Sequence, residues 1–109
     1  MKYAICNWLF RGKDFRRCCE TVARHGFQGL EIAHFTVCED PHAVSEATLR
    51  EVRRALEETG LAFVGLHALL FRPADLHITS AEVAVRTRAR DHLRKLIDLA
   101  GALGGGTLV

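Results

Sequence analysis

The stretch Gly29-Leu30-Glu31-Ile32-Ala33 is a short apolar run with one charged residue, and it stands between two amphipathic stretches. Similar apolar runs occupy residues 3–6, 61–66 and 104–109. Between these runs, apolar residues recur at the spacing of an α-helix that buries one face. Apolar strands that alternate with amphipathic helices predict an α/β protein with a parallel sheet and right-handed crossovers.

Capping residues mark the expected ends of the helices. Asp14 is suited to begin the first helix. Either Ser45 or Thr48 can begin the second helix, and Gly60 is suited to end it. Thr79 lies three residues before a glutamate, a spacing that predicts a capping box at the start of the third helix.

Two architectures fit this alternation, an open doubly wound sheet and an eight-fold barrel. A dinucleotide-binding open sheet normally carries a G-x-G-x-x-G turn after its first strand, and residues 7–12 do not match that motif. The barrel is therefore favoured. A complete (β/α)8 TIM barrel needs about 250 residues, whereas the last apolar run stops at Val109. We expect residues 1–109 to be the truncated N-terminal half of such a barrel, with four parallel strands and three helices.

The composition argues against several classes of protein. Fifteen basic and 13 acidic residues give a net charge of +2, which is too balanced to predict nucleic acid or an anionic membrane as a partner. The four cysteines have no C-x-x-C spacing, so neither a zinc knuckle nor a disulfide framework is indicated. No apolar run approaches the roughly 20 residues of a membrane span, and no secretory leader is recognisable. We therefore expect a cytoplasmic protein.

Polar residues at the ends of the predicted strands are the candidates for chemistry. Side chains alternate along a strand, so Glu31 faces the barrel interior if Leu30 and Ile32 face the helices. On the same argument Asn7 shares the inward face with Ile5, and His67 shares it with Phe63. Parallel-sheet enzymes place their active sites at the carboxyl ends of the strands, where Asn7 and His67 lie.

Each candidate also has a structural interpretation. A glutamate within an apolar strand is costly to bury, so Glu31 needs a partner, a catalytic task or access to solvent. His67 precedes a long loop and could be a metal ligand, a general base, a hydrogen-bond donor to a hydroxylated substrate or a structural histidine. His34 follows the second strand and can line the mouth of the barrel. No third metal ligand with comparable placement accompanies Glu31 and His67.

Three stretches resemble a known superfamily: GFQGLEIA at residues 26–33, GLAFVGLH at 60–67 and LHITS at 76–80. Together with Val85-Arg86, they resemble the N-terminal part of the xylose-isomerase-like TIM barrels. Members of that superfamily include sugar isomerases, ketose 3-epimerases, hydroxypyruvate isomerase and endonuclease-IV-type enzymes. Residues 79–104 are most similar to the sugar phosphate isomerase/epimerase branch.

The resemblance implies a function for the complete protein. The sugar-converting members hold Mn, Mg, Co or Zn with two Glu, an Asp and a His from later strands, and carboxylates move a proton through an enediolate. None of those positions exists in residues 1–109, so we expect this chain alone to bind no metal and to be inactive. Asn7, Glu31, His67 and His34 are then expected to contact a sugar or sugar phosphate. Trp8 stands where the family more often has a small or acidic residue.

Two other functions remain open from the sequence. The first is part of an abasic-site endonuclease, in which His67 would match a zinc-binding histidine, although no basic groove is predicted. The second is a non-catalytic half-barrel that self-associates through exposed apolar sheet edges.

Overall fold

The computed structural model describes residues 1–109 and contains one sheet of four parallel strands. The strands follow one another across the sheet in chain order. They are β1 (Ala4–Cys6), β2 (Gly29–Ala33), β3 (Ala62–His67) and β4 (Thr107–Leu108). Parallel pairing in unbroken chain order is typical of a (β/α)8 barrel, whereas a doubly wound sheet reverses its order partway.

Three α-helices connect the strands and pack against one face of the sheet. They are α1 (Phe15–Arg24), α2 (Glu46–Thr59) and α3 (Val83–Ala102), and short 3-10 helices follow β1 (Asn7–Phe10) and β2 (His34–Thr36). The fold expected from the sequence, part of a TIM barrel with four parallel strands and three helices, is confirmed.

Local side-chain bonds explain where the first two long helices begin. The carboxylate of Asp14 accepts a hydrogen bond from the amide of Arg17 at 2.9 Å, and the hydroxyl of Ser45 accepts one from the amide of Thr48 at 3.0 Å. Gly60 ends α2 with a left-handed φ of 69°. Ser45 is therefore the cap of α2, and the alternative cap Thr48 lies inside the helix.

The capping box predicted at Thr79 is wrong. Helix α3 begins at Val83, and its N-cap residue Glu82 makes no side-chain capping bond. The hydroxyl of Ser80 instead accepts a hydrogen bond from the Glu82 amide at 3.2 Å and fixes the turn before the helix.

The core lies between the helices and the outer face of the sheet. Leu30, Ile32 and Leu66 point from the strands towards the helices and are completely buried. Each such side chain contributes about 1.5–3 kcal/mol to folding by leaving water. The remaining members of this one continuous cluster lie in the helices or within two residues of a helix end: Cys18, Cys19, Val22, Leu49, Val52, Ala55, Leu56, Leu61, Leu96, Leu99, Ala100 and Leu103.

Two of the predicted strand faces are wrong. Ile5 pairs with Leu30 and packs against the core, so Cys6, the partner of Glu31, is the residue of β1 that faces inward. In β3 the register shifts by one residue at Val64, so Phe63 packs against the core while His67 keeps its inward position.

The inner face of the sheet carries small or exposed side chains. Ala4, Ala62, Val64 and Thr107 are all exposed on this face. The helices therefore cover only one side of the sheet. None of the helices has both the length and the apolar composition that crossing a membrane requires.

Close packing of β3 against β4 requires a glycine at position 65. A Cβ atom there would overlap the carbonyl oxygen of Thr107 in the neighbouring strand. We predict that Gly65→Ala lowers the free energy of unfolding by about 1–3 kcal/mol, the usual cost of overpacking. Urea unfolding followed by circular dichroism measures this.

Gly101 provides the matched control because a Cβ on that helical residue meets no atom within 4 Å. Gly101→Ala should be neutral or should stabilise the chain by up to about 1 kcal/mol. Equal stability of the two variants would show that the contact between β3 and β4 has no such constraint.

Candidate functional site

Three chemically active side chains converge on the inner face near the carboxyl ends of the first three strands. They belong to Cys6 on β1, Glu31 on β2 and His67 on β3. Cys6 is paired with Glu31 in the sheet register, and His67 is paired with Ala33, two residues further along β2. One ligand-type atom from each residue lies within 4.8 Å of the other two.

Glu31 and His67 form a hydrogen-bonded pair. Nδ1 of His67 lies 2.7 Å from Oε2 of Glu31, and the side chains are 37% and 23% exposed. An ionised carboxylate can only accept hydrogen bonds, so Nδ1 of His67 carries the proton and donates it to the bond. In the neutral form of the ring, this bond selects the tautomer with the proton on Nδ1 and leaves Nε2 as a free acceptor. The pair is thus a polar unit that water or a ligand can reach.

Cys6 is the site residue that the sequence analysis missed. Burial raises the pKa of its thiol above the usual value, and the negative charge of Glu31 raises the same pKa further. The thiol is therefore protonated near neutral pH. The signal that could have identified Cys6 is its position opposite Glu31. The sequence analysis instead placed Ile5 and Asn7 on the inner face of the first strand.

Asn7 lies beside this site, and its side chain is engaged in the fold. Its Oδ1 accepts a hydrogen bond from the amide of Ala33 at 2.8 Å, and its Nδ2 donates one to the hydroxyl of Thr36 at 2.6 Å. Asn7 is buried, with 6% of its surface exposed. In this arrangement it joins the end of β1 to the end of β2, and a substrate contact would have to replace one of these bonds.

Aromatic side chains form a wall beside the pair. Trp8, Phe35 and Phe71 each follow a different strand, and their ring centroids lie 4.6–5.2 Å apart. The Trp8 ring centroid is 6.3 Å from that of His67, and the guanidinium of Arg11 lies 4.9 Å from the Trp8 ring centroid. A cleft of about 580 Å³ opens here and is lined by Cys6, Trp8, Leu9, Arg11 and His67.

His34 does not reach this cleft. It is completely buried and packs between the rings of Phe35 and His92, with both centroids at 5.4 Å. Neither of its ring nitrogens has a hydrogen-bond partner. Burial, with a smaller contribution from neighbouring His92, lowers the pKa of His34 to about 4. The structure therefore brings Glu31 and His67 together and leaves His34 beneath the surface, away from the mouth of the barrel that it was expected to line.

A larger cleft, of about 840 Å³, lies near His92 between the loops and α3. It is lined by side chains of both charges, and Arg88 already pairs with Asp75 at 3.1 Å. Because opposite charges face one another, the cleft has no concentrated charge of one sign that could bind a charged ligand.

The metal centre implied by the resemblance can be compared with the residues of this chain. That centre uses two Glu, an Asp and a His. Cys6, Glu31 and His67 are the one group of three or more ligand-type side chains that lies together here. A set with a thiol and a single carboxylate does not fit that centre, so no reaction step is assigned to a metal on this chain.

The parallel order of the strands and the helices on one face define a β/α-barrel protein, and the polar cluster lies near the strand ends, where that class usually has its site. Comparison of the sequence with family models agrees. The chain belongs to the family described as xylose isomerase-like TIM barrel, whose model matches residues 19–109. No curated protein matches the sequence significantly.

Solved structures similar to this chain include two 3-epimerases. D-allulose 3-epimerase from Methylomonas sp., in complex with D-allulose, is 25% identical with a TM-score of 0.72, and the match covers 99% of this chain and 35% of that one. D-psicose 3-epimerase, in the presence of D-fructose, is 21% identical with a TM-score of 0.75, and the match covers 99% and 36%. The match to D-psicose 3-epimerase, at 21% identity, shows a shared fold and nothing further. This chain spans about a third of the length of either protein.

The buried His34 makes stability depend on pH. Its folded-state pKa of about 4 lies below the ordinary value of 6.5, so folding favours the neutral ring. The contribution is fully present above pH 6.5 and is lost as the pH falls through about 4. At that lower limit we predict a loss of about 3 kcal/mol in the free energy of unfolding. Urea titrations across this pH range measure it.

His34→Leu should remove this component of the pH dependence, because leucine has no proton to bind. His77→Gln, at an exposed loop position, is the control and should keep the wild-type dependence. Parallel losses of stability in the wild type and His34→Leu would contradict the assignment to His34.

Proposed function

We propose that this chain forms the N-terminal, substrate-binding part of a sugar or sugar phosphate isomerase or epimerase. The observation that carries the proposal is the hydrogen bond between His67 and Glu31 near the carboxyl ends of adjacent barrel strands. Membership of the xylose isomerase-like TIM barrel family supports it. The similarity to a D-allulose 3-epimerase supports a ketose as the substrate class.

The geometry accounts for binding of a polyhydroxylated ligand. Both carboxylate oxygens of Glu31 can accept hydrogen bonds from hydroxyls, and Nε2 of neutral His67 can accept one more. A sugar offers several adjacent hydroxyls that can act as donors to this pair. The edge of the Trp8 wall supplies apolar surface for the carbon skeleton, as in other small-molecule sites.

Arg11 bears on whether the sugar is phosphorylated. Its guanidinium lies over the Trp8 ring in the same cleft as His67. A guanidinium binds phosphate oxygens through paired N–H donors. A phosphorylated sugar that places its reacting end near Glu31 would therefore find a cation at the outer end of the cleft.

The chemistry proposed for the complete protein is proton transfer between neighbouring carbons of the sugar through an enediolate. The resemblance implies that this reaction uses a divalent metal, Mn, Mg, Co or Zn, with its ligands on later strands. Those ligands and the accompanying carboxylates are not among the site residues of this chain. We therefore propose that residues 1–109 bind a sugar without converting it. The cysteines are all unpaired, which is usual in a reducing compartment, and we propose a cytoplasmic location.

Binding of D-allulose to the purified chain tests the proposal. Glu31→Gln and His67→Gln should each weaken binding at least about tenfold. The first removes the charged acceptor of the sugar hydroxyls, and the second removes the imidazole that Glu31 holds in place. Saturation-transfer NMR measures binding, and the sugar spectrum in the same tube shows whether any ketose is converted. We expect binding with no conversion.

Two exposed residues provide matched controls for these substitutions. Glu51→Gln on α2 and His77→Gln in the loop before α3 change the same side-chain types outside the cleft, and both positions are exposed. They should bind D-allulose like the wild type. Equal binding by all four variants would refute the assigned site, and conversion of D-allulose with added metal would refute the inactivity of this chain.

A second proposal is self-association through the uncovered side of the sheet. Strands β1 and β4 each have only one neighbour, so both edges present unpaired backbone groups. Val64 is 36% exposed on the inner face. Such an open face and edges favour pairing with a second copy of the chain.

Light scattering on the purified chain should therefore give at least twice the monomer mass of 12.1 kDa. Val64→Lys should reduce this association by placing a charge on the inner face. Val83→Lys is the control, because Val83 is 65% exposed on α3, away from the sheet. A monomeric wild-type chain, or equal effects of the two lysines, would count against pairing through this face.

A further inference from the structure

The side chains of Cys6, Glu31 and His67 form a cluster that sugar binding does not fully use. Sugar binding requires the carboxylate and the imidazole, whereas the thiol of Cys6 has no role in it. We propose that Cys6, Glu31 and His67 form a binding site for Zn²⁺. This inference goes beyond the proposed sugar function and does not depend on it.

The positions of the ligand atoms suit one small cation. All three lie within 4.8 Å of one another. A tetrahedral zinc ion with bonds of about 2.0–2.3 Å needs its ligand atoms roughly 3.3–3.8 Å apart. Adjacent hydrogen-bonded strands hold the three Cα atoms in place. Side-chain rotation alone can therefore bring the ligand atoms to the required separations.

The proton between His67 and Glu31 marks where the cation would lie. Nδ1 of His67 and Oε2 of Glu31 face each other at 2.7 Å, and both are ligand types that zinc accepts. On binding, Zn²⁺ takes the place of the Nδ1 proton, the neutral ring gains a proton at Nε2 in exchange, and the thiol proton of Cys6 passes to solvent, so one proton is released in all. The sulfur–hydrogen bond breaks heterolytically and a zinc–thiolate bond forms, with no change of oxidation state.

The donor set selects the type of metal. A thiolate with an imidazole and a carboxylate favours Zn²⁺ over Mg²⁺ and Mn²⁺, which prefer oxygen ligands. Each of the three residues is half-buried, so the ion has a path from solvent. Three protein ligands leave a fourth position for water, the arrangement of an open rather than a closed structural zinc site.

The sequence alone gave the opposite expectation, that this chain binds no metal. That expectation rested on the family's ligands lying on later strands and on the lack of a third ligand placed comparably to Glu31 and His67. The observed register places Cys6 opposite Glu31 and supplies the missing third ligand.

Cobalt titration of the full chain tests the site directly. Co²⁺ occupies zinc sites of this kind, and a bound thiolate gives a charge-transfer absorption in the near ultraviolet. We expect this absorption to saturate at one Co²⁺ per chain and to be bleached by Zn²⁺. Cys6→Ser should abolish it, and Glu31→Gln and His67→Gln should each raise the Kd for Co²⁺ at least about tenfold.

Cys38→Ser is the matched control, because Cys38 is also half-buried and unpaired but lies outside the cluster. It should leave the Co²⁺ absorption and affinity unchanged. Absence of the charge-transfer absorption in the wild type, or its persistence in Cys6→Ser, would overturn the proposal.

A second measurement needs no variant and so does not depend on the folding of one. Mass spectrometry can follow alkylation of each thiol in the wild-type chain with and without Zn²⁺. Zinc should slow the alkylation of Cys6 at least about tenfold, because the metal-bound thiolate is less available, and should leave the rate at Cys38 unchanged. Equal rates at Cys6 with and without zinc would also overturn the proposal.

Discussion

Glu31 lies on β2, which has a strand on each side. Its carboxylate therefore needs a hydrogen-bond partner within the sheet, and the arrangement of the site depends on that bond. A partly buried charge without a hydrogen bond would cost several kcal/mol. The parallel order of β2 and β3 supplies the partner, because it places His67 beside the end of β2. The outer face of the same strands is held by Leu30 and Ile32 in the core. One alternation thus fixes both the apolar packing and the polar pair.

The sequence predicted the fold well because strong local signals agreed, and it placed Glu31 and His67 on the inner face without predicting the bond between them. Asp14 and Gly60 marked helix ends by capping chemistry, and the alternation along β2 correctly placed Glu31 inward. It failed where the strand pattern was interrupted. The register shift at Val64 turned Phe63 towards the core, and the early end of β1 made Cys6 its last inward residue. Such irregularities depend on pairing between strands, which one strand's sequence does not record.

Residue type and position along the chain also did not predict which polar side chains are free to contact a ligand. Asn7 and His34 were predicted to contact substrate because each follows a strand, yet both side chains are buried. Asn7 bonds to the backbone of Ala33 and to Thr36, and His34 is enclosed by aromatic rings. Both 3-10 helices turn the chain at these positions, so strand alternation no longer applies. Whether a polar side chain faces a ligand or the fold depends on this turn, which the sequence did not reveal.

The central claim is that Glu31 and His67 act as one hydrogen-bonded unit to which a sugar binds. Nitrogen and proton NMR signals of the His67 ring measure this most directly. The structure predicts a protonated Nδ1 with a downfield proton signal that disappears in Glu31→Ala and shifts when D-allulose is added. A proton on Nε2 instead, with ring signals that neither Glu31→Ala nor D-allulose changes, would contradict the account.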